Sequence, residues 1–231
     1  MTESSKENEL PVNEDKFYGD AKQFWGKMPS TVDGMLGGYE TVSPKDVAGS
    51  KSFLRSLLKI GKSRGKTNRK RALDCGAGIG RITKRLLLPL FDTVDMVELQ
   101  QSFLDTAKEF IGAQVNRVDR FICSGLQDFV PDVGHYDLIW CQWVLCHLTE
   151  EHLITFLQNC QKGLAPDGII VIKENVSLSS ETKFDQNDSS FFRSKEDYVD
   201  IIHKAGLNFV KVQKQTNWPK HLYPMYMFAV R

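Results

Sequence analysis

The chain has 231 residues, 41% hydrophobic and 26% charged, with a formal net charge of +1. This fits one globular domain with a sizeable core. It excludes a protein that holds nucleic acid mainly through its overall field, and no apolar run approaches the roughly 20 residues of a bilayer-spanning helix.

Residues 1–13 are predicted to be a disordered tail. Met1–Asp15 holds five acidic residues and one Lys, the wrong pattern for a secretory leader. A helix over Glu14–Met28 follows from Phe17, Ala21, Phe24, Trp25 and Met28 at helical spacing, and Ser30–Gly34 breaks it. A second helix is expected from Ser43, with Ser43 as cap, Pro44 at the first helical position, and Val47, Phe53, Leu54, Leu57 and Leu58 as its apolar stripe. Lys59–Arg71 carries seven basic residues and no acidic one. It reads as a flexible solvated linker, a nuclear-import signal or a nucleic-acid contact. Residues 14–70 are therefore taken as N-terminal helices and basic linker, and 71–231 as the main domain.

From there strands and helices alternate. Strands are predicted at Arg71–Cys75, Thr93–Glu98, Arg120–Cys123, Tyr136–Cys141, Gly168–Lys173, Leu207–Gln215 and Met225–Val230. Helices are predicted at Ile79–Leu88, Gln101–Ile111, Glu150–Lys162 and Lys195–Ala205, the last capped by Ser194 and stopped by Gly206. This order is that of an α/β fold with a parallel sheet between two helical layers. The five cysteines form no C-x-x-C pair, which indicates a reducing compartment with neither disulfides nor zinc. Cys141 and Cys146 read as packing residues, with redox activity as the alternative.

Asp74-Cys75-Gly76-Ala77-Gly78-Ile79-Gly80 lies where the first strand turns into its helix. Glycines there allow a tight turn and bring backbone close to a ligand at a helix N-terminus. Glu98, 18 residues after Gly80, ends the next strand and is placed to bind two ribose hydroxyls. The nicotinamide fingerprint fails because Arg81 stands where its last glycine belongs. The remaining G-x-G-x-G resembles the first motif of class I methyltransferases, in which Arg81 would face the carboxylate of S-adenosylmethionine. Gly125–Phe129 after the third strand and Leu164–Gly168 before the fifth fit the same fold. Gln142 at the exit of the fourth strand can hydrogen-bond the cofactor's amino-acid end. Trp143 offers a flat wall or core packing, and His147 is either a proton acceptor or a capping or surface residue.

Phe24-Trp25, Thr31–Tyr39 (TVDGMLGGY), Leu73–Phe91, Gly125–Phe129, Gln142-Trp143 and Ile172–Asn175 together resemble the eukaryotic α-N-terminal protein methyltransferases, over most of residues 16–231. The resemblance implies a class I methyltransferase, Rossmann-like, mostly parallel seven-stranded sheet with an N-terminal helical extension and a hairpin insertion. It implies S-adenosyl-L-methionine as cofactor and substrates beginning X-Pro-Lys or X-Pro-Arg, among them chromatin-associated and ribosomal proteins. Nucleus and cytoplasm are the expected locations, with no membrane or direct nucleic-acid partner. Carried over by position, Gly76, Gly78, Arg81, Glu98, Leu99, Gln100, Leu126, Gln127 and Gln142 hold the cofactor and Trp25 closes over it. Leu36, Gly37, Trp143, Asn175, Asp185, Asp188, Ser190 and Tyr223 line the peptide channel, and Asp188, His147 and Asn175 form the catalytic set. Asn175 binds the first carbonyl, Trp143 packs on the proline, and the acids meet the basic third residue. Phe24, Glu174 and Gln186 depart from the family pattern, where Tyr, Asp and an acid are common. A small-molecule methyltransferase and a catalytically inactive binding subunit share the cofactor motifs and stand as alternatives.

Overall fold

The structure, a computed structural model, describes residues 13–61 and 64–231. The predicted tail lies outside the described residues except for Asn13, as do residues 62 and 63 of the basic segment. Asn13 belongs to the first helix, not to a tail: its side chain accepts from Lys16 N at 3.0 Å and caps α1 (Glu14–Gly26). That helix stops two residues before the predicted end. Pro29 lies just beyond, and a proline disfavours helical backbone in the residue ahead of it.

The predicted break contains a turn of helix, α2 (Val32–Met35), because Thr31 Oγ1 accepts from Gly34 N at 3.0 Å. The next helix, α3 (Ser43–Arg55), starts where expected but is not capped by Ser43. That hydroxyl instead accepts from Arg85 at 2.8 Å. Phe53, Leu54, Leu57 and Leu58 are buried in the core shared with the sheet, so the N-terminal helices pack as part of the main domain.

The remaining elements are β1 (Arg71–Cys75), β2 (Thr93–Glu98), α4 (Gln101–Ile111), β3 (Val118–Cys123), β4 (Tyr136–Gln142), α5 (Glu150–Gly163), β5 (Leu164–Asn175), β6 (Lys183–Asp185), β7 (Ser190–Phe192), α6 (Lys195–Lys204), β8 (Phe209–Lys214) and β9 (Met225–Val230). The helix expected over Ile79–Leu88 takes π geometry over Thr83–Leu87, with Leu88 N–H reaching back five residues to Thr83 O. This widening accompanies burial of three consecutive leucines, Leu86, Leu87 and Leu88. Ser194 caps α6 in a capping box with Asp197.

Seven strands form one sheet in the order β3-β2-β1-β4-β5-β9-β8. The first five are mutually parallel, and β9 runs antiparallel to both neighbours. Alternate residues of the central strands face opposite sides. Ala72, Leu138, Trp140, Ile169 and Val171 pack with α3 and α4, while Leu73, Ile139, Cys141, Ile170 and Ile172 pack with α5 and α6. Burial on both faces explains why β4 is buried at every position. β6 and β7 pair separately as a hairpin, with Phe184 opposite Phe191 and Asp185 opposite Ser190. The carboxyl ends of β1, β2, β4 and β5 open on one edge, where ligands of open α/β sheets bind.

Candidate active site

Two cavities adjoin at that edge. The first, of about 550 Å³, lies over the carboxyl ends of β1, β2 and β4 under α1; the second, of about 720 Å³, lies between the loop after α2 and the β6–β7 hairpin. Trp25, Met35, Trp143 and His147 line both.

Nine of the ten residues expected to hold a cofactor line the first cavity: Trp25, Gly76, Gly78, Arg81, Glu98, Leu99, Leu126, Gln127 and Gln142. Gln100 is placed elsewhere, its side-chain amide donating to Lys22 O of α1 at 2.6 Å. All eight expected peptide-channel residues line the second cavity, together with His147.

The glycine loop explains its own composition. Gly78 sits at φ +54°, and a Cβ there would approach Met35 Sδ to 2.7 Å. Its N–H donates to Glu98 Oε2 at 2.9 Å, and Gln100 N donates to Oε1 at 3.0 Å. A carboxylate has about four acceptor sites, so Glu98 retains capacity for ribose hydroxyls. Burial raises its pKa, and the backbone N–H groups oppose that rise. Burial also pushes the Asp74 carboxyl up to about 7, against the bond from Thr83 Oγ1 at 2.6 Å.

Behind the cavity lies a polar cluster that sequence reading missed. Asp46 of α3, fully buried, meets Arg81 at 2.7 Å, Lys173 at 2.5 Å and the Gln142 amide at 2.9 Å. Burial alone would raise the Asp46 pKa, but Lys173 and Arg81 outweigh it and hold the carboxyl below its ordinary range. Arg81 and Gln142 thus reach the cavity wall already oriented by Asp46, which leaves one surplus cation where the carboxylate of an amino-acid ligand would be matched. Lys173 was the readable signal: a cation directly after the apolar run Ile169–Ile172 has to be paired when buried. Nothing in sequence spacing connects it to Asp46.

In the second cavity Trp143 follows β4 at φ +54°, strained for a bulky residue. Its indole N–H is buried without a partner among the described residues. Strain and an orphaned donor together mark a functional position. Asp188 lies in the hairpin turn and accepts from Ser190 Oγ at 2.7 Å. Asp185 accepts from Asn187 N at 2.9 Å, which shapes the same turn. Glu174, noted from sequence only as a departure from pattern, lines this cavity. It accepts from Val144 N and Leu145 N at 3.0 Å, and burial pushes its carboxyl up to about 7. His147 has both ring nitrogens engaged: Trp25 Nε1–H donates to Nε2 at 3.0 Å, and Nδ1 donates to Ser189 O at 3.1 Å. Burial lowers its pKa, so the ring is neutral. With its Nε2 lone pair taken by Trp25, His147 is not poised in this arrangement as the proton acceptor that its sequence position suggested.

The residues present fit S-adenosylmethionine. They form a glycine cradle that a Cβ would fill, a carboxylate at the end of β2, a cationic wall and an aromatic lid.

Comparison with known proteins gives the same answer. A family profile described as AdoMet dependent proline di-methyltransferase matches residues 13–231. The chain is 51% identical over 223 residues to N-terminal Xaa-Pro-Lys N-methyltransferase 1-A of Xenopus laevis, covering 96% of this chain and 99% of the relative. It is 49% identical over 224 residues to N-terminal Xaa-Pro-Lys N-methyltransferase 1 of Mus musculus, covering 97% and 99%. Among solved structures, a SAM-dependent methyltransferase of Leishmania major superposes with a TM-score of 0.87 at 37% identity, covering 93% of this chain and 83% of that one. Phosphoethanolamine N-methyltransferase 1 of Haemonchus contortus, at 20% identity and a TM-score of 0.69, covering 94% of this chain and 48% of that one, shares the fold. The chain therefore belongs to the AdoMet-dependent proline di-methyltransferase family, an enzyme family that uses S-adenosylmethionine.

Proposed function

We propose that this enzyme methylates the α-amino group of proteins that begin X-Pro-Lys or X-Pro-Arg. The observation that carries the reading is the adjoining pair of cavities, one lined by the cofactor set and the other by the peptide set, meeting at Trp25, Trp143 and His147. The names of the Xenopus and mouse relatives support lysine at the third position.

S-adenosylmethionine, when bound, supplies an electrophilic methyl group, and the chain's own residues do the rest. The acceptor amine must present a lone pair, and an α-amino group with a pKa of about 7.7–8.0 is mostly protonated at neutral pH. Asp188 takes the proton, since the lone pair of His147 is engaged. Asn175, at the end of β5, holds the first carbonyl of the peptide. Trp143, which lines both cavities, packs its ring on the proline. Holding nitrogen and methyl carbon in line accounts for much of the acceleration. Asp185 and Asp188 attract the third-position cation. Chromatin-associated and ribosomal proteins with such N-termini are the proposed substrates. Action in nucleus and cytoplasm is proposed from those substrates, the basic segment Lys59–Arg71 and the unpaired cysteines.

The test is mass spectrometry of an Ala-Pro-Lys peptide incubated with enzyme and S-adenosylmethionine. Methylation at the α-amine is expected in the parent, with kcat lowered about 10²–10⁴-fold in Asp188→Asn, the usual worth of a general base. An unmodified peptide, or methyl groups only on the lysine side chain, would overturn the reading.

A further inference from the structure

We infer that His147 is a positioning residue that couples closure of α1 over the cofactor cavity to seating of the β6–β7 hairpin at the peptide cavity. The inference rests on the assignment of the two cavities made above.

The imidazole bridges two elements far apart in sequence. An indole N–H can only donate and a carbonyl oxygen can only accept. The bonds from Trp25 Nε1 at 3.0 Å and to Ser189 O at 3.1 Å therefore select one neutral tautomer, with its hydrogen on Nδ1. The turn that carries the ring is braced from both ends. Glu174 accepts the N–H groups of Val144 and Leu145, and Arg193, 3% exposed, donates to Leu145 O at 3.1 Å and Leu148 O at 2.6 Å. A ring held this way transmits displacement instead of absorbing it.

The two elements it joins wall different cavities in the main, with Trp25 of α1 reaching both. α1 contributes Tyr18, Ala21 and Trp25 to the first, and the hairpin contributes Asp185, Asp188 and Ser190 to the second. They also touch directly: Ser189 Oγ donates to Phe17 O at 2.9 Å, and the Phe17 and Phe191 rings lie 5.2 Å apart. A cofactor that settles α1 thereby settles the hairpin through Trp25, His147 and Ser189. Linkage requires the converse, that peptide on the hairpin tightens the cofactor by the same factor.

Calorimetry of an Ala-Pro-Lys peptide, with and without S-adenosylhomocysteine, reads the coupling as a ratio of affinities. In the parent the peptide is expected to bind about fivefold or more tightly when S-adenosylhomocysteine is present, the lower end of ordinary site–site coupling. The ratio should fall toward one in Trp25→Phe, which keeps the imidazole but lacks the donor, and in His147→Phe. His147→Gln offers Trp25 an acceptor but cannot act as a base. It should retain much of the ratio and a kcat above that of His147→Phe. A parent ratio of one, or a ratio unchanged in both phenylalanine variants, overturns the coupling. Equal kcat losses of about 10²–10⁴-fold in the Gln and Phe variants, with the ratio intact, would make His147 the base. A parent that binds neither ligand overturns the cavity assignment and the coupling with it, whereas one that binds both independently overturns the coupling alone.

Discussion

Gly78 and Gly37 are both glycines at positive φ, but their surroundings separate their roles. At Gly78 a Cβ would press on Met35 at φ +54°, whereas at Gly37, φ +56°, it would meet nothing within 4 Å. Any larger residue at Gly78 must therefore strain the backbone and fill the cofactor cradle. The left-handed conformation alone costs an L-residue about 1–2 kcal/mol. Gly78→Val is expected to weaken S-adenosylhomocysteine binding about tenfold or more by calorimetry, and unchanged affinity would refute the placement. Gly37 lines the acceptor cavity with open space beside it. Asn tolerates positive φ better than most residues, so Gly37→Asn is expected to fold, to methylate an Ala-Pro-Lys peptide once and to stall before higher states. An unaltered product distribution from the folded variant would mean that Gly37 serves the turn alone. Sequence pointed to both glycines as site residues, but only packing distinguishes a crowded glycine from an open one.

At the scale of the element, the β6–β7 hairpin brings chemistry to the second cavity. Three-residue strands cannot be stable by themselves, and this pair is held by Phe184 and Phe191 packing on Phe17 of α1. The end of β6 and the turn after it carry Asp185 and Asp188 into the cavity wall, and the proposed function has them meet a third-position cation. Charge-assisted hydrogen bonds contribute about 1.5–3 kcal/mol, so Asp185→Asn is expected to weaken binding of an X-Pro-Lys peptide about tenfold. Equal methylation of peptides with Lys and Glu at that position would dismiss the acidic mouth. The hairpin itself came from family resemblance. Asp, Asn and Ser residues around position 187 read only as a loop, and no period-2 pattern can emerge from strands of three residues. α2 escaped notice for a similar reason, since one turn of helix is too short to show a period and rests on the Thr31 cap.

For the molecule as a whole, buried carboxyls set a pH dependence. Burial pushes Asp74 up from 3.8 to about 7 and Glu174 up from 4.5 to about 7. Between those limits the folded chain holds protons that the unfolded chain has released. The stability that these two carboxyls contribute is therefore fully present below about pH 4 and is lost as pH rises through 7, whereas that of Asp46, held below its ordinary range, is lost as pH falls. Glu174→Gln keeps an oxygen for Val144 and Leu145 N–H but no longer titrates. It is expected to flatten the fall in denaturation midpoint between pH 5 and pH 8, with up to ~3 kcal/mol recovered at the alkaline end. A variant that loses stability with pH as steeply as the parent would place the titration elsewhere.

The sequence by itself determined the alternating strands and helices, the glycine turn after β1, the acidic end of β2 and the aromatic exit of β4. These are local patterns, written in periods of two and 3.6 residues and in turn chemistry that a few neighbours decide. Of the site residues that the family resemblance named, all but Gln100 line one of the two cavities. Only the tertiary structure decided which partners those residues keep. It brings Asp46 to Arg81, Lys173 and Gln142 across separations of up to 127 residues, and Trp25 to His147 across 122. It turns Gln100 to α1 and leaves the Ser43 hydroxyl to the arginines instead of the helix end. Such pairings follow from how α1 and α3 pack on the sheet. A buried donor or acceptor takes whatever partner that packing delivers, because leaving it unpaired costs about 1–3 kcal/mol.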